Sequence, residues 1–541
     1  MSVTQILRAD FQGGDEFDLL IIGGGITGAA LAHEATSRGL SVALVEKGDF
    51  GAATSSATGK LIHGGLRYLK KLEVGLVRES LAERRNLMRI APNLVSPIPI
   101  VLPETGLVEV LGLTAYDVLS FDRNRLSDPS KRIPAHRRMS RSGLDELGLD
   151  YVGKGILYYD SMMLSPERLT LAFLRTAVAA GAQVANYVRV DRLVLAGQRV
   201  TGAEVTDLVS GNSGLIRAKV TVNATGAWAH DLLAGTPATA AIAGPAPKVR
   251  SEGIYLVTRK LSDVMVLTVG KHGHFSFAPW RGHSLVGPTE TPYHGPVDEW
   301  RLTRASIEQF LASIAANNTA GVKLTIDDVV SAYGGLRPLT ESAEVDTYTA
   351  SRASELIDHA KQGVDGLVSA MGGKYTSSRA FASRIVTALG RQLGGSVRSS
   401  RTALTPLDGC QIAELPREIA SARAAALADG LPESSGEVLA QLYGSQLSEL
   451  RALMISDERL RLPGTPDGEP LVTVAWAAKH EAVVHLTDAL LHRTGIGQLG
   501  DPGADVLNAA ADIVAVELGW TAERRAAELD LAREAVSLPE D

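Results

Sequence analysis

A single cysteine, Cys410, in a chain of 541 residues leaves no internal disulfide and no cysteine-based metal cluster, and no metal is expected. It fits a reducing compartment and reads as a small core filler. Dense Lys/Arg blocks are also missing and the formal net charge is -7, so no basic field recruits nucleic acid and any anion site must be local. No run reaches the roughly 20 apolar residues that span a bilayer; the nearest, Leu94 to Leu102, is broken by proline. The N-terminus, Met1 to Glu16, carries Arg8, Asp10, Asp15 and Glu16 and lacks the apolar core of a secretory signal, so the protein is expected in the cytoplasm. No repeat period of roughly 20 to 50 residues is present, which excludes solenoids and propellers. What is there is a chain with 45% hydrophobic and 21% charged residues. That length and balance suit roughly two to four globular domains.

Near the start, Phe17 to Ile22 is a short apolar run that leads into Gly23-Gly24-Gly25-Ile26-Thr27-Gly28, and good helix formers follow from Ala29 to Arg38. That order predicts strand, turn and helix. Gly23 serves the tight turn, Gly25 lets backbone approach a pyrophosphate, and Gly28 allows helix and strand to pack closely, with the phosphates on the helix N-terminus beside Ile26 and Thr27. A second apolar strand, Ser41 to Val45, ends at Glu46, roughly 20 residues beyond the glycines, where a carboxylate accepts bonds from ribose hydroxyls.

NAD and FAD both satisfy this pattern. Lys219 to Asn223 followed by Ala224-Thr225-Gly226 is a strand running into a small-residue turn, and it resembles the second fingerprint of glutathione-reductase-like flavoproteins. No second glycine fingerprint follows a strand, since Gly390 to Gly395 comes after the helix-like Ile385 to Leu389. FAD is therefore the expected cofactor, with electrons leaving to something other than nicotinamide.

Beyond Glu46 come Ala53-Thr54-Ser55-Ser56 and Lys60-Leu61-Ile62-His63-Gly64-Gly65-Leu66-Arg67-Tyr68-Leu69. With the glycine fingerprint this block resembles the FAD-dependent, quinone-linked glycerol-3-phosphate dehydrogenases. The resemblance runs through Tyr159-Asp160, Asn223 to Trp228, Gly335-Leu336-Arg337-Pro338-Leu339 and Gly372-Gly373-Lys374-Tyr375-Thr376 to a C-terminal stretch, Leu442 to Ser445 and His480-Glu481-Ala482, that looks like that family's cap. It implies an α/β fold: a glutathione-reductase-like Rossmann FAD domain, an inserted α+β substrate domain and a C-terminal helical cap. The expected boundaries are 1-70, 156-234 and 346-405 for the discontinuous FAD domain, 71-155 and 235-345 for the substrate domain, and 406-541 for the cap. Asp501-Pro502 is expected to cap and open a helix containing Val506, Ala510 and Ile513.

The resemblance also implies roles. Arg337 and Lys374 would be catalytic, the first at the reacting oxygen, and Arg67, Tyr68 and Thr376 would join them in holding substrate. Gly23, Gly25, Ile26, Thr27, Gly28, Glu46, Thr54, Ser55, Lys60, Leu61, Ile62, His63, Gly64, Val190, Ala224, Gly226, Gly373, Lys374 and Thr376 would surround the FAD. The partners implied are a small phosphorylated polyol, glycerol 3-phosphate first, and a membrane quinone. Peripheral contact with the inner face of the cell membrane and a homodimer are left open. Arg67 to Lys71 with Arg78, or the apolar stretch Val108 to Leu119, offer themselves to lipid, the latter reading first as a buried helix.

Two departures fall in the substrate region. Where family members often have a histidine in a K-G-S-H stretch, this chain reads Arg250-Ser251-Glu252-Gly253, so Glu252, His272, His274, or water with Arg337 must take the proton. A GTTDT-like stretch is replaced by Gly287-Pro288-Thr289-Glu290-Thr291. These leave open an oxygen-using oxidase, a dehydrogenase of a longer polyol phosphate such as an erythritol phosphate, or a flavin-binding sensor without catalysis.

Overall fold

The computed structural model describes all residues except 1–4, 7, 12–15, 104–105, 150–151, 248, 271–272, 318–321, 338–353, 396 and 541. Two sheets and a helical cap organise the described residues. In the first sheet, strand Glu16–Ile22 lies parallel between Val42–Val45 and Ser213–Asn223. Leu367–Met371 extends it beyond the one neighbour and Gln183–Ala185 beyond the other, again in parallel. Parallel strands need both faces covered. Leu19 and Ile21 face a core shared with helices Ile26–Ser37, Pro166–Ala179 and Ser378–Leu389, while Leu20 and Ile22 face the opposite core, beneath the antiparallel strands Val188–Ala196 and Arg199–Asp207. This two-sided burial explains the unbroken apolar run of the first strand.

The second sheet is mostly antiparallel and runs in the order 291–293, 250–258, 283–287, 273–280, 265–270, 95–103, 155–163, 61–62. Strand Val329–Arg337 pairs along 250–258, bringing Arg337 opposite Ser251 and Gly335 opposite Gly253. Helix Arg304–Asn317 covers one face with Ile307, Phe310 and Ile314. The other face, carrying Ile100, Tyr158, Tyr255 and Met265, turns toward the first sheet's glycine loop, and these side chains line the space between.

The domain limits shift accordingly. Gly155–Met163, assigned above to the FAD domain from residue 156, pairs along its length with Val95–Pro103 in the second sheet, and Leu61–Ile62 joins it there. Helix Val74–Ile90, assigned to the substrate domain, instead buries Leu87, Met88 and Ile90 in the nucleotide-domain core. Leu407 and Cys410 are buried in that core too, and the first helix beyond them is Leu415–Ala428. In the cap, six helices from Leu415 to Val536 surround Trp476, Leu486, Leu490, Ala510 and Val514. Gly503, not Asp501, caps helix Ala504–Leu518, two residues later than expected; the Asp501 carboxylate instead accepts the Gly503 amide. The stretch expected as a buried helix is a helix, Leu107–Leu119, but buries only Leu113 and Tyr116. Leu107, Leu111 and nearby Phe121 are 74%, 68% and 67% exposed. Among the described residues no helix is long and apolar enough to cross a membrane.

Candidate active site

A cavity of about 1480 Å3 runs from the glycine loop to the gap between the sheets. At its nucleotide end Gly23 has φ +111°, and a Cβ there would meet the Ala224 carbonyl oxygen at 2.5 Å. A Cβ on Gly28 would overlap the Gly23 carbonyl outright, so the helix start lies against the strand end only because both residues are glycine. Gly25 is the N-terminal boundary of helix Ile26–Ser37 and lines the cavity with Ile26 and Thr27. That helix end is the fold's anion-binding feature. The Ile26 amide donates to Ser55 Oγ at 2.9 Å, which brings the 53–58 turn over the glycine loop.

Glu46 lines the same end. Its carboxylate accepts the amides of Gly24 at 2.7 Å and Gly48 at 2.8 Å, and burial pushes its pKa up despite those bonds. The residue expected to hold ribose therefore also holds the loop. Val190, Ala224 and Gly226 line the cavity beside it.

The Lys60 to Gly64 block divides by side. Leu61 and His63 line the cavity; Lys60, Ile62 and Gly64 do not. Lys60 is buried with its ammonium 4.5 Å from the Trp280 ring centre and 5.2 Å from that of Tyr333, and burial pulls its pKa down. Ile62 is in the nucleotide-domain core. The Gly64 amide donates to the Tyr116 hydroxyl at 2.7 Å, and that hydroxyl donates to Asp160, which is ion-paired with buried Arg84. Extended backbone alternates its sides, which is why a contiguous wrap does not form.

At the far end Gly373, Lys374, Thr376, Tyr68 and Arg337 line the cavity together. Lys374 Nζ lies 3.8 Å from the Tyr68 ring centre and donates to Ser80 Oγ at 3.4 Å. Thr376 Oγ1 accepts the His63 amide at 3.2 Å, and Thr54 Oγ1 donates to the Leu336 carbonyl at 2.6 Å. Arg337 donates through Nη1 to Ser251 Oγ at 2.7 Å and through Nη2 to the Thr289 carbonyl at 2.9 Å. Arg67 lies in the short helical segment Leu66–Lys71, but its side chain is outside the described residues. Of the three side chains weighed as proton acceptors, His274 lines the cavity, Glu252 faces away to accept from Thr291 and Trp300, and His272 lies outside the described residues.

Residues 18–379 match the family model described as FAD dependent oxidoreductase, and residues 400–525 match that of the C-terminal domain of alpha-glycerophosphate oxidase. Glycerol-3-phosphate dehydrogenase 2 of Mycobacterium tuberculosis is 34% identical over 522 residues, spanning 94% of this chain and 86% of its own length. The chain belongs to the FAD-dependent glycerol-3-phosphate dehydrogenase family. Within that family the Synechocystis glycerol-3-phosphate dehydrogenase is 30% identical over 543 residues, with 94% of each chain covered. The fold matches the structure of the glycerol-3-phosphate dehydrogenase from Bacillus halodurans complexed with FAD, with a TM-score of 0.71 at 24% identity over 97% of this chain and 95% of that one.

FAD is the cofactor of this family member, and the glycine cradle, open helix end and Glu46 fit it. Arg337 and Lys374, both named from the resemblance, line the one cavity. Lining residues that sequence reasoning missed include Lys47 and Asp49, just beyond Glu46, and Tyr158, Thr268 and Ser276 from the second sheet. Asp49 is the most constrained. Its oxygens accept from Arg493 of the cap at 2.6 and 2.7 Å, from Asn186 at 2.9 Å, and lie 3.0 Å from His492 Nδ1. Asp49, Asp488 and His492 have their ligand-type atoms within 4.8 Å of one another, but the Arg493 guanidinium already supplies the cation there. Asp49 and Arg493 stand 444 residues apart, and no short-range pattern connects them.

Proposed function

We propose that this protein oxidises sn-glycerol 3-phosphate to dihydroxyacetone phosphate and passes the electrons to a quinone. The observation that carries the substrate reading is the convergence of Arg337, from the second sheet, and Lys374, from the end of a first-sheet strand, on one cavity in a protein of net charge -7. A phosphate dianion needs charge-assisted donors, and an alcohol being oxidised needs a cation at its oxygen. Lys374, with Tyr68 and Thr376, holds the phosphorylated polyol, while Arg337 polarises the reacting hydroxyl; the Arg67 role implied by the resemblance falls on a side chain outside the described residues. Thr54, Ser55, Leu61, His63, Val190, Ala224, Gly226 and Gly373 enclose the cofactor. When bound, FAD supplies a hydride acceptor at N5.

Helix Leu107–Leu119 supports the acceptor reading. Its outer side exposes Leu107, Leu111 and Val118, while Val108, Glu109 and Gly112 line the cavity. An apolar exposed surface adjoining a redox cavity suits an acceptor that arrives from lipid. An oxygen-using oxidase is the alternative chemistry. Anaerobic mixing of the FAD-loaded protein with glycerol 3-phosphate tests the substrate, and reoxidation by a water-soluble quinone against air tests the acceptor. Bleaching followed by faster quinone reoxidation is expected; steady peroxide release in air without quinone would favour the oxidase.

A further inference from the structure

Gly253 sits in the middle of strand Arg250–Thr258 with no left-handed backbone to require glycine. Its neighbours explain it. A Cβ at this position would overlap Arg337 Nη2 and come within 2.8 Å of Cζ, so the guanidinium lies against the strand in the space a side chain would fill. This is the close approach that a strand glycine permits. The seat is completed by Ser251 Oγ, the Glu252 carbonyl at 3.2 Å and the Thr289 carbonyl.

The same seat fixes Glu290. Thr289 is bonded to Ile254 in both directions: its amide donates to the Ile254 carbonyl at 3.1 Å, and its hydroxyl accepts the Ile254 amide at 2.9 Å. Thr291 then joins the sheet opposite Glu252. Between these anchors Glu290 places a carboxylate oxygen 3.5 Å from Arg337 Nη1 and lines the cavity. His63, His274, Lys374 and Tyr68 face the same space from other elements.

We propose that Glu290 is the proton acceptor of the reaction, held beside the Arg337 guanidinium that Gly253 seats; this rests on the substrate reading above. As the carbinol C–H bond breaks and its electron pair leaves as hydride to the oxidant that the flavin supplies, the hydroxyl O–H bond breaks. Its proton passes to a Glu290 carboxylate oxygen and the C=O bond forms. Arg337 stabilises charge developing on the oxygen, and the Glu290 carboxylic acid then returns its proton to water.

The test uses FAD-loaded wild type, E290Q, E290D and H274Q, mixed anaerobically with glycerol 3-phosphate across a range of pH. Flavin reduction in E290Q is expected to slow by about 10²- to 10⁴-fold, the contribution typical of a positioned base. E290D should recover part of the rate. The acidic limb of the pH profile should vanish in E290Q and persist in H274Q. Binding of dihydroxyacetone phosphate to the oxidised protein, read from flavin absorbance, should be retained in E290Q, showing that the site still folds. Reduction of wild type and E290Q at equal rates overturns the role alone, as does loss of the acidic limb in H274Q but not in E290Q. A wild-type flavin that glycerol 3-phosphate does not reduce overturns the substrate reading and this role with it.

Discussion

Replacing Arg493 with methionine tests how the cap is held to the nucleotide end of the cavity. The guanidinium is fully buried, donates to both Asp49 oxygens and, through Nε, to the Glu481 carbonyl at 2.8 Å. Burial alone would raise the Asp49 carboxyl, but Arg493 and His492 together outweigh it and hold the pKa well below the usual carboxylate range. Methionine preserves bulk and removes the charge, leaving Asp49 buried with His492 and Asn186. Breaking a buried pair by removing one partner costs about 3–5 kcal/mol. Because several domains unfold, a single global stability is not the right readout. Amide hydrogen exchange around 46–51 and 484–496 reports the local opening, and its protection should fall by roughly 10²- to 10³-fold or more. The double variant R493M/D49N should cost less than the two single changes summed, with a coupling of about 1–3 kcal/mol. Additive single effects, or protection in R493M unchanged, would refute the idea that this pair holds the cap in place.

Four further outcomes follow from the same geometry. Gly28→Ala forces a Cβ into the Gly23 carbonyl and should abolish FAD retention on gel filtration while the cap remains folded by exchange. Glu46→Gln removes a charged acceptor from two loop amides; a loss of about 1.5–3 kcal/mol corresponds to FAD binding weakened roughly ten- to a hundredfold by equilibrium titration. Burial would lower His492, but the bond to Asp49 and its charge raise it above the ordinary value. Its contribution is therefore complete below about pH 6.5 and lost as pH rises through the raised folded value, so cap protection should decline on the alkaline side in wild type and stay flat in H492Q. Leu111→Glu with Phe121→Glu, both on the exposed apolar surface, should reduce sedimentation with liposomes by about tenfold and slow reduction of a long-chain quinone. Anaerobic flavin reduction by substrate should be unaffected.

The parts of the site written in adjacent residues were legible. Strand, glycine turn, helix and Glu46 are local, and each glycine has a steric reason that sequence spacing expresses. Lys60 to Gly64 were read as a continuous wrap, yet Leu61 and His63 turn toward the cavity and Lys60 and Ile62 away from it, an alternation that extended backbone imposes. Domain limits moved because strands 95–103 and 155–163 pair across an intervening 50-odd residues, a long-range choice that composition does not encode. Helix Leu107–Leu119 looked buried because apolarity alone does not distinguish a core from a partner surface. The Arg337 seat was invisible for a different reason: Gly253 read as a missing side chain, whereas in the fold it makes room for another residue's guanidinium.

The central claim is that the glycine cradle and the Arg337–Lys374 end form one flavin site for glycerol 3-phosphate. Its most direct measurement is the visible spectrum of the purified, FAD-loaded protein before and after anaerobic addition of that substrate. A bound flavin that bleaches with glycerol 3-phosphate, and does so far more slowly in R337M, is the predicted result. A protein that takes up no FAD, or whose flavin is reduced by an erythritol phosphate and not by glycerol 3-phosphate, would contradict it.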